Sequence, residues 1–282
     1  MSGFSRILAA IRPAAAEALA FYAGLAEYQK SLLHGCEPIA PSTRPAAIES
    51  VSDPRSPDSG RRPPYPVVDA LDLEAVLGAM PGFLVWLPRV APVRPAESAA
   101  DLRKLERDQW LHLVHSYLAG DGRDLGGDDH VLRFVLEAVL QPFVEQAAIA
   151  EAASRRPQPN ASGQARCPFC NALPVVGVLR EEGHGAKRTL VCALCLMERE
   201  YLRVVCPSCG EQQFEALPVY TADQLEYLRI EACDHCHCYL KTIDLTKDGL
   251  AVPLVHDIAS VSLDLWARDR GYVRLRANVL GL

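Results

Sequence analysis

Cys167-Pro168-Phe169-Cys170, Cys192-Ala193-Leu194-Cys195, Cys206-Pro207-Ser208-Cys209 and Cys233-Asp234-His235-Cys236 are four copies of one Cys-x-x-Cys motif. They are separated by 21, 10 and 23 residues, so the stretch divides into two modules, each a motif, a longer loop and a second motif. That is the spacing of two tetrahedral four-thiolate metal sites. In such a knuckle the residue after the second cysteine often needs positive φ. Gly210 adopts it freely, and Asn171 and His237 belong to the few other types enriched there. Leu196 fits least, which predicts a differently shaped knuckle at Cys192/Cys195. Pro168 and Pro207 fix φ just after the first ligand of each module.

Eight paired cysteines could also be four disulfides. That use calls for an oxidising compartment and usually a short secreted chain, and residues 1–16 do not read as a signal peptide. Iron-sulfur clusters usually draw on less symmetric spacings. The expectation is one mononuclear ion per module, held by Cys167, Cys170, Cys192 and Cys195 in the first and by Cys206, Cys209, Cys233 and Cys236 in the second. Four thiolates suit both iron and zinc. The run Cys206 to Gly210 is similar to a rubredoxin knuckle and tilts the choice slightly towards iron. Four thiolates close a site to substrate, and no phosphate loop, nucleophile elbow or convincing carboxylate pair stands out. The chain reads as a non-enzyme.

A length of 282 residues, 49% of them hydrophobic and 23% charged, leaves room for two domains. The net charge of -6 argues against a general binder of nucleic acid or anionic membranes. Residues 166–248 carry nine Lys/Arg against twelve Asp/Glu, with no basic stripe among aromatics, so a nucleic-acid-binding zinc ribbon ranks last. No apolar run approaches membrane length, and no direct membrane insertion is expected.

The N-terminal half, residues 1–154, reads as helical. Residues 14–33 place Leu19, Tyr22, Leu25 and Leu32 on one face. Cys36 reads as a small apolar residue. Residues 37–66 contain eight prolines and form a loop or strap interrupting the helices. Asp72 can cap a helix that Pro81 ends after Ala79. One long helix is expected over residues 95–118, with Leu102, Leu105, Leu111 and Leu118 on its apolar face. After a turn at residues 120–127, Asp128 or Asp129 can cap a helix towards Ala153 that Pro142 should kink. His112 and His115 read as exposed histidines. Residues 155–166 have linker composition.

Residues 167–200 form the first module and 201–250 the second. Within the first, residues 173–180 and 187–191 flank a hairpin turn at Glu181 to Gly185, and residues 214–220 and 225–232 play the same parts in the second. His184 marks the hairpin tip, and His235, His237 and Cys238 crowd the last knuckle as loop residues. A strand over residues 239–245 follows. In residues 251–282 Asp257 is expected to cap a last helix with Ile258, Val261 and Leu265 inward and Gly271 at its C-cap. The tail carrying Arg274 and Arg276 could pack on the helical domain or meet a partner. The fold class is α+β: an N-terminal helical domain, two tandem rubredoxin-like or zinc-ribbon modules and a C-terminal helix.

Taken together, Cys167 to Val175, Cys192 to Tyr201, Cys206 to Gly210, Cys233 to Lys241 and the closing run from Asp257 to Arg274 resemble the formate dehydrogenase accessory (formation) protein family, FdhE. The resemblance is specific over the C-terminal 120 or so residues and general over the helical half. Asn171 and His237 depart from it, glycine being usual at both. It implies a cytoplasmic bacterial factor that binds the catalytic subunit of respiratory formate dehydrogenase during maturation. Two alternatives stand beside it, rubredoxin-like electron transfer and, last, the nucleic-acid module.

Overall fold

The computed structural model of the chain describes residues 15–33, 67–90, 99–120, 130–154 and 165–277. Cys36, the proline-rich segment 37–66, the turn at 121–127 with the caps Asp128 and Asp129, and linker residues 155–164 lie outside them. The helical half contains α1 (Ala16–Leu32), α2 (Leu73–Trp86), α3 (Arg107–Gly120) and α4 (His130–Ser154). In α1, Leu19, Tyr22 and Leu25 are buried as their spacing predicts, and Leu32 is half-buried against the core.

Asp72 caps α2, its carboxylate accepting the Ala75 N–H at 3.1 Å. The helix does not end after Ala79 but runs through Pro81 to Trp86. A proline inside a helix costs about 3 kcal/mol. Phe83, Leu84 and Leu87 are buried beyond it, and burial of each contributes about 2 kcal/mol, so packing carries the helix through. The Leu84 carbonyl would have met Pro88, which has no N–H; Arg103 donates to it instead at 3.0 and 2.6 Å. In α4, Pro142 likewise leaves the Ala138 carbonyl without its helical donor. Gln29 of α1 supplies one at 2.9 Å.

The single helix expected over residues 95–118 is broken. Residues 99–102 form a helical turn, and α3 starts afresh at Arg107. The restart is capped locally, the Gln109 side-chain oxygen accepting the Glu106 N–H at 2.8 Å. A side chain that competes with the helical ladder in this way favours a terminus over a continuous helix.

Among the described residues, seven strands form one sheet: β1 (Pro174–Glu182), β2 (Gly185–Cys192), β3 (Glu198–Glu200), β4 (Val219–Thr221), β5 (Leu228–Ala232), β6 (Cys238–Asp244) and β7 (Val273–Arg274). The β1–β2 hairpin turns where expected, with Glu182 opposite Gly185 and Gly183 at φ 58°. The second hairpin is shorter than its sequence suggested. Residues 214–216 make a 3-10 turn, and only Val219–Thr221 pairs with β5. Pro218 has no N–H for the ladder, so strand structure begins after it.

The strand order is β3-β2-β1-β6-β5-β4, with β7 added to β6. The two modules therefore share a sheet, and the seam is the parallel pair β1–β6, where Gly177 lies opposite Thr242. A Cβ on Gly177 would stand 2.3 Å from the Thr242 hydroxyl oxygen. Only glycine lets the strands approach so closely.

The C-terminal helix is two helices, α5 (Pro253–Ala259) and α6 (Val261–Asp269), meeting at Ser260. Pro253 starts α5 at its first turn. Asp257 is no cap; it lies inside α5 and is buried, whereas Leu265 is 52% exposed. The inward face is Asp257, Ser260, Asp264 and Ala267. Gly271, at φ 80°, does close α6.

The helices pack directly on this sheet domain. Ala15, Leu19 and Tyr22 form a cluster with Val255, Ile258 and Ala259. The tail returns to the helices, Arg276 donating to the Tyr117 hydroxyl at 3.0 Å and pairing with Glu137 at 2.5 Å.

Candidate metal centres

All four Cys-x-x-Cys motifs fold into the same knuckle. In each, the N–H of the first cysteine donates to the carbonyl five residues on: Cys167 to Ala172, Cys192 to Met197, Cys206 to Glu211 and Cys233 to Cys238. In each, the residue after the second cysteine has positive φ: Asn171 (62°), Leu196 (56°), Gly210 (78°) and His237 (55°). The expectation of a differently shaped knuckle at Leu196 is thus corrected. A leucine in this region costs about 1–2 kcal/mol, and the hydrogen-bonded loop with its sulfur partners over-determines the backbone and holds it there.

The knuckles bring the eight sulfurs together as two sets within the modules. Cys167, Cys170, Cys192 and Cys195 form one set, Cys206, Cys209, Cys233 and Cys236 the other, with all sulfurs of a set within 4.8 Å of one another. Across the first set, Cys167–Cys195 and Cys170–Cys192 lie at 3.5 and 3.4 Å. Across the second, Cys206–Cys236 and Cys209–Cys233 both lie at 3.7 Å. A disulfide needs about 2.05 Å, whereas sulfurs at about 2.3 Å from one tetrahedral ion stand about 3.8 Å apart. Each set could hold one such ion.

In the first set, hydrogen bonds from Cys170, Cys192 and Cys195 hold the Cys167 thiol far below its ordinary range. Cys167, in turn, pushes Cys170 and Cys195 up. Crowding of the four sulfurs thus penalises ionising more than one of them together. A bound cation reverses the penalty, since coordinating thiols are deprotonated outright. In the second set burial raises Cys206 and pushes Cys209 up to about 11. Burial also opposes ionisation of Cys236, but the Cys238 N–H and the Cys209, Ser208 and Cys206 side chains outweigh it and draw that thiol down to about 7.

The two sites differ in surroundings. All four sulfurs of the first are buried, and its cysteines belong to the same hydrophobic core as Phe83, Val114 and Val139 of the helices. Gln141 of α4 reaches the Ala193 carbonyl inside its second knuckle at 3.4 Å. No cysteine of the second site belongs to that core, and there Cys209 is exposed and Cys236 half-buried.

Among the described residues, the others singled out in the sequence do not join either set. His112 and His115 are exposed on α3, His184 is at the exposed hairpin tip, and His235 and His237 are exposed beside the second site. Cys238 stands outside the four-sulfur set and accepts the Ser208 hydroxyl at 3.3 Å.

Sequence reasoning missed a buried charge cluster. Lys241, on β6, is fully buried and bonds Asp257 at 3.0 Å and Asp264 at 2.6 Å. Arg274, on β7, pairs with the same two carboxylates at 2.6 and 2.9 Å, and the Tyr239 hydroxyl donates to Asp264 at 2.8 Å. Two cations meet two anions, which ties α5 and α6 to the sheet. The signal was available: Asp257, Ser260 and Asp264 share one helical face with buried apolar neighbours.

Comparison with known proteins bears on the whole chain. Residues 166–203 match the model of the FdhE central domain and residues 204–280 that of the FdhE C-terminal domain. A protein FdhE homolog of Aquifex aeolicus is 31% identical over 271 residues, 95% of this chain and 90% of the relative. A second, from Pseudomonas aeruginosa, is 30% identical and covers 93% of this chain and 82% of the relative. The crystal structure of the FdhE protein from Pseudomonas aeruginosa superposes with a TM-score of 0.70 at 26% identity, covering 99% of this chain and 93% of that one.

Proposed function

Since the chain belongs to the FdhE family, and so to the formate dehydrogenase formation proteins, we propose that it binds the catalytic subunit of respiratory formate dehydrogenase in the cytoplasm and assists its maturation. The reading assigns each four-sulfur set one ion, iron or zinc, held by Cys167, Cys170, Cys192 and Cys195 and by Cys206, Cys209, Cys233 and Cys236. The observation that supports it is one hydrogen-bonded knuckle repeated four times, gathering the eight sulfurs into two sets of four, each within 4.8 Å. Such ions cross-link loops that have little apolar core of their own. The first would cross-link two loops of the sheet domain that pack in the core shared with the helices; the second would stiffen loops at a more exposed surface. Complete thiolate shells leave no position for substrate, so the protein acts by binding and not by catalysis. No helix among the described residues is long and apolar enough to cross a membrane. The division into a helical domain (1–154), linker (155–166), two modules (167–200 and 201–250) and C-terminal segment (251–282) belongs to the same reading.

Exposure of Cys209 favours one second reading, electron transfer through an iron at the outer site. Metal analysis and the visible spectrum of protein purified without air or added metal separate the two. About two irons per chain, with thiolate charge-transfer bands that bleach on reduction, support the redox reading. Two zincs and no colour leave the docking platform alone. Co-purification with the catalytic subunit tests the partner, and failure of a metal-replete protein to bind it overturns the assignment.

A further inference from the structure

Strand β4 closes one end of the sheet. It pairs with β5 on one side and, among the described residues, with no strand on the other. The Ala232 N–H donates to the Pro218 carbonyl, and Tyr220 lies opposite Ile230. Backbone groups alternate in direction along an antiparallel ladder. Pro218 and Tyr220 therefore face β5, and the N–H and C=O of Val219 point out from the edge, an open template for another strand.

A groove of about 170 Å³ reaches from Val219 of this edge inward past Arg229 and Glu231 of β5 to Leu240 of β6, with Cys206 and Cys233 of the second site in its wall. Its rim is apolar and exposed: Phe214 is 73% exposed, Val219 52% and Val204 45%. Its charged lining is Arg188, Arg203, Arg229 and Glu231. Glu231 is engaged by both Arg188, at 2.5 Å, and Arg229, at 2.8 Å. Arg188 is buried, which leaves exposed Arg203 and half-buried Arg229 as the cations a partner can meet, on a chain whose net charge is -6.

We infer that this edge and groove bind an extended, acidic and apolar segment of a partner polypeptide. The segment adds to β4 as a strand, places an apolar side chain against Phe214 and Val219, and turns a carboxylate towards Arg203 and Arg229. A second copy of this chain is a poorer occupant, because pairing edge to edge would bring these cations of the two copies together. That the segment belongs to the formate dehydrogenase catalytic subunit rests on the function proposed above; the acidic and apolar chemistry does not.

The test uses the full chain and two probes, the purified catalytic subunit and a soluble ten-residue peptide alternating valine and glutamate, with a valine–lysine peptide as control. Val219→Pro removes the outward N–H without touching the β5 ladder, Phe214→Ser removes the rim, and Arg203→Glu reverses the charge. Each variant should keep the metal content and melting temperature of the wild type. The expected result is binding of the subunit and of the glutamate peptide, weakened at least tenfold by Val219→Pro and by Arg203→Glu. If the subunit binds and all three variants bind it equally well, the groove is overturned while the docking function stands. If the glutamate peptide binds at β4 and the subunit does not, the docking function fails and the groove survives. Self-association abolished by Val219→Pro, or equal binding of the two peptides, would overturn the occupant inferred here.

Discussion

Gly177 and Thr242 lie side by side across the parallel β1–β6 seam, so close that a methyl group on the glycine would stand 2.3 Å from the threonine hydroxyl oxygen. This pair is where the two cysteine modules become one sheet. Substituting Gly177→Ala forces the strands apart or turns Thr242 out of its position. The expected cost is about 1–3 kcal/mol, read as a lower urea midpoint. Gly177→Ala combined with Thr242→Ala should recover part of it, because the clash is with the threonine side chain.

Gln29 shows how a proline is accommodated inside α4. Its side chain donates to the Ala138 carbonyl that Pro142 leaves free, and to Gln141. Gln29→Ala removes both bonds from a half-buried site, so stability should fall by about 1–2 kcal/mol. In the background of Pro142→Ala, where the backbone supplies its own donor, the same substitution should cost less. Equal costs in both backgrounds would disprove the compensation.

The environments of the two cysteine sets predict unequal consequences of metal loss. Cys170 is buried in the core shared with the helices, whereas Cys209 is exposed. Cys170→Ala and Cys209→Ala should each remove one of two metal equivalents by mass spectrometry of inorganic elements. The first should also lower the melting temperature of the helical half, followed by near-ultraviolet signals of Trp86 and Trp110. The second should leave those signals in place. Unchanged metal content in either variant would exclude the four-ligand assignment.

Much of the cysteine geometry could be read from the sequence, because ligation demands fixed spacing and because Asn171, Gly210 and His237 suit positive φ. Leu196 could not, since the knuckle that constrains it outweighs its own preference. The β1–β6 seam was also hidden. Parallel pairing between distant segments leaves no turn signal, and Gly177 reads locally as a weak strand residue. The prolines were visible, but not the remedies: Gln29 and Arg103 lie 109 and 19 residues from the carbonyls they satisfy. Asp257 reads as a cap in the sequence because an isolated aspartate near a helix start usually is one. Its cations, Lys241 and Arg274, come from strands before and after the helix.

Asp257 carries the sharpest pH prediction. Burial alone would raise the Asp257 carboxyl, but Arg274 and then Lys241 overcome it and hold the group below its ordinary value. A depressed folded value stabilises the protein above the unfolded value of about 3.9, and that contribution is lost as pH falls through the folded one. Asp257→Asn leaves buried Lys241 and Arg274 with a single carboxylate, Asp264, and should cost about 3–5 kcal/mol at pH 7. The gap between wild type and variant should stay constant from pH 8 to about 5 and narrow only below about 4. Both proteins keep the same cysteines, so acid release of metal cancels in the comparison. Adding Lys241→Met to Asp257→Asn should cost less than the two single changes summed, because each removes the charge the other leaves unpaired. A gap that already narrows between pH 7 and 5, or strict additivity of the pair, would mean that Asp257 is not held ionised by these cations.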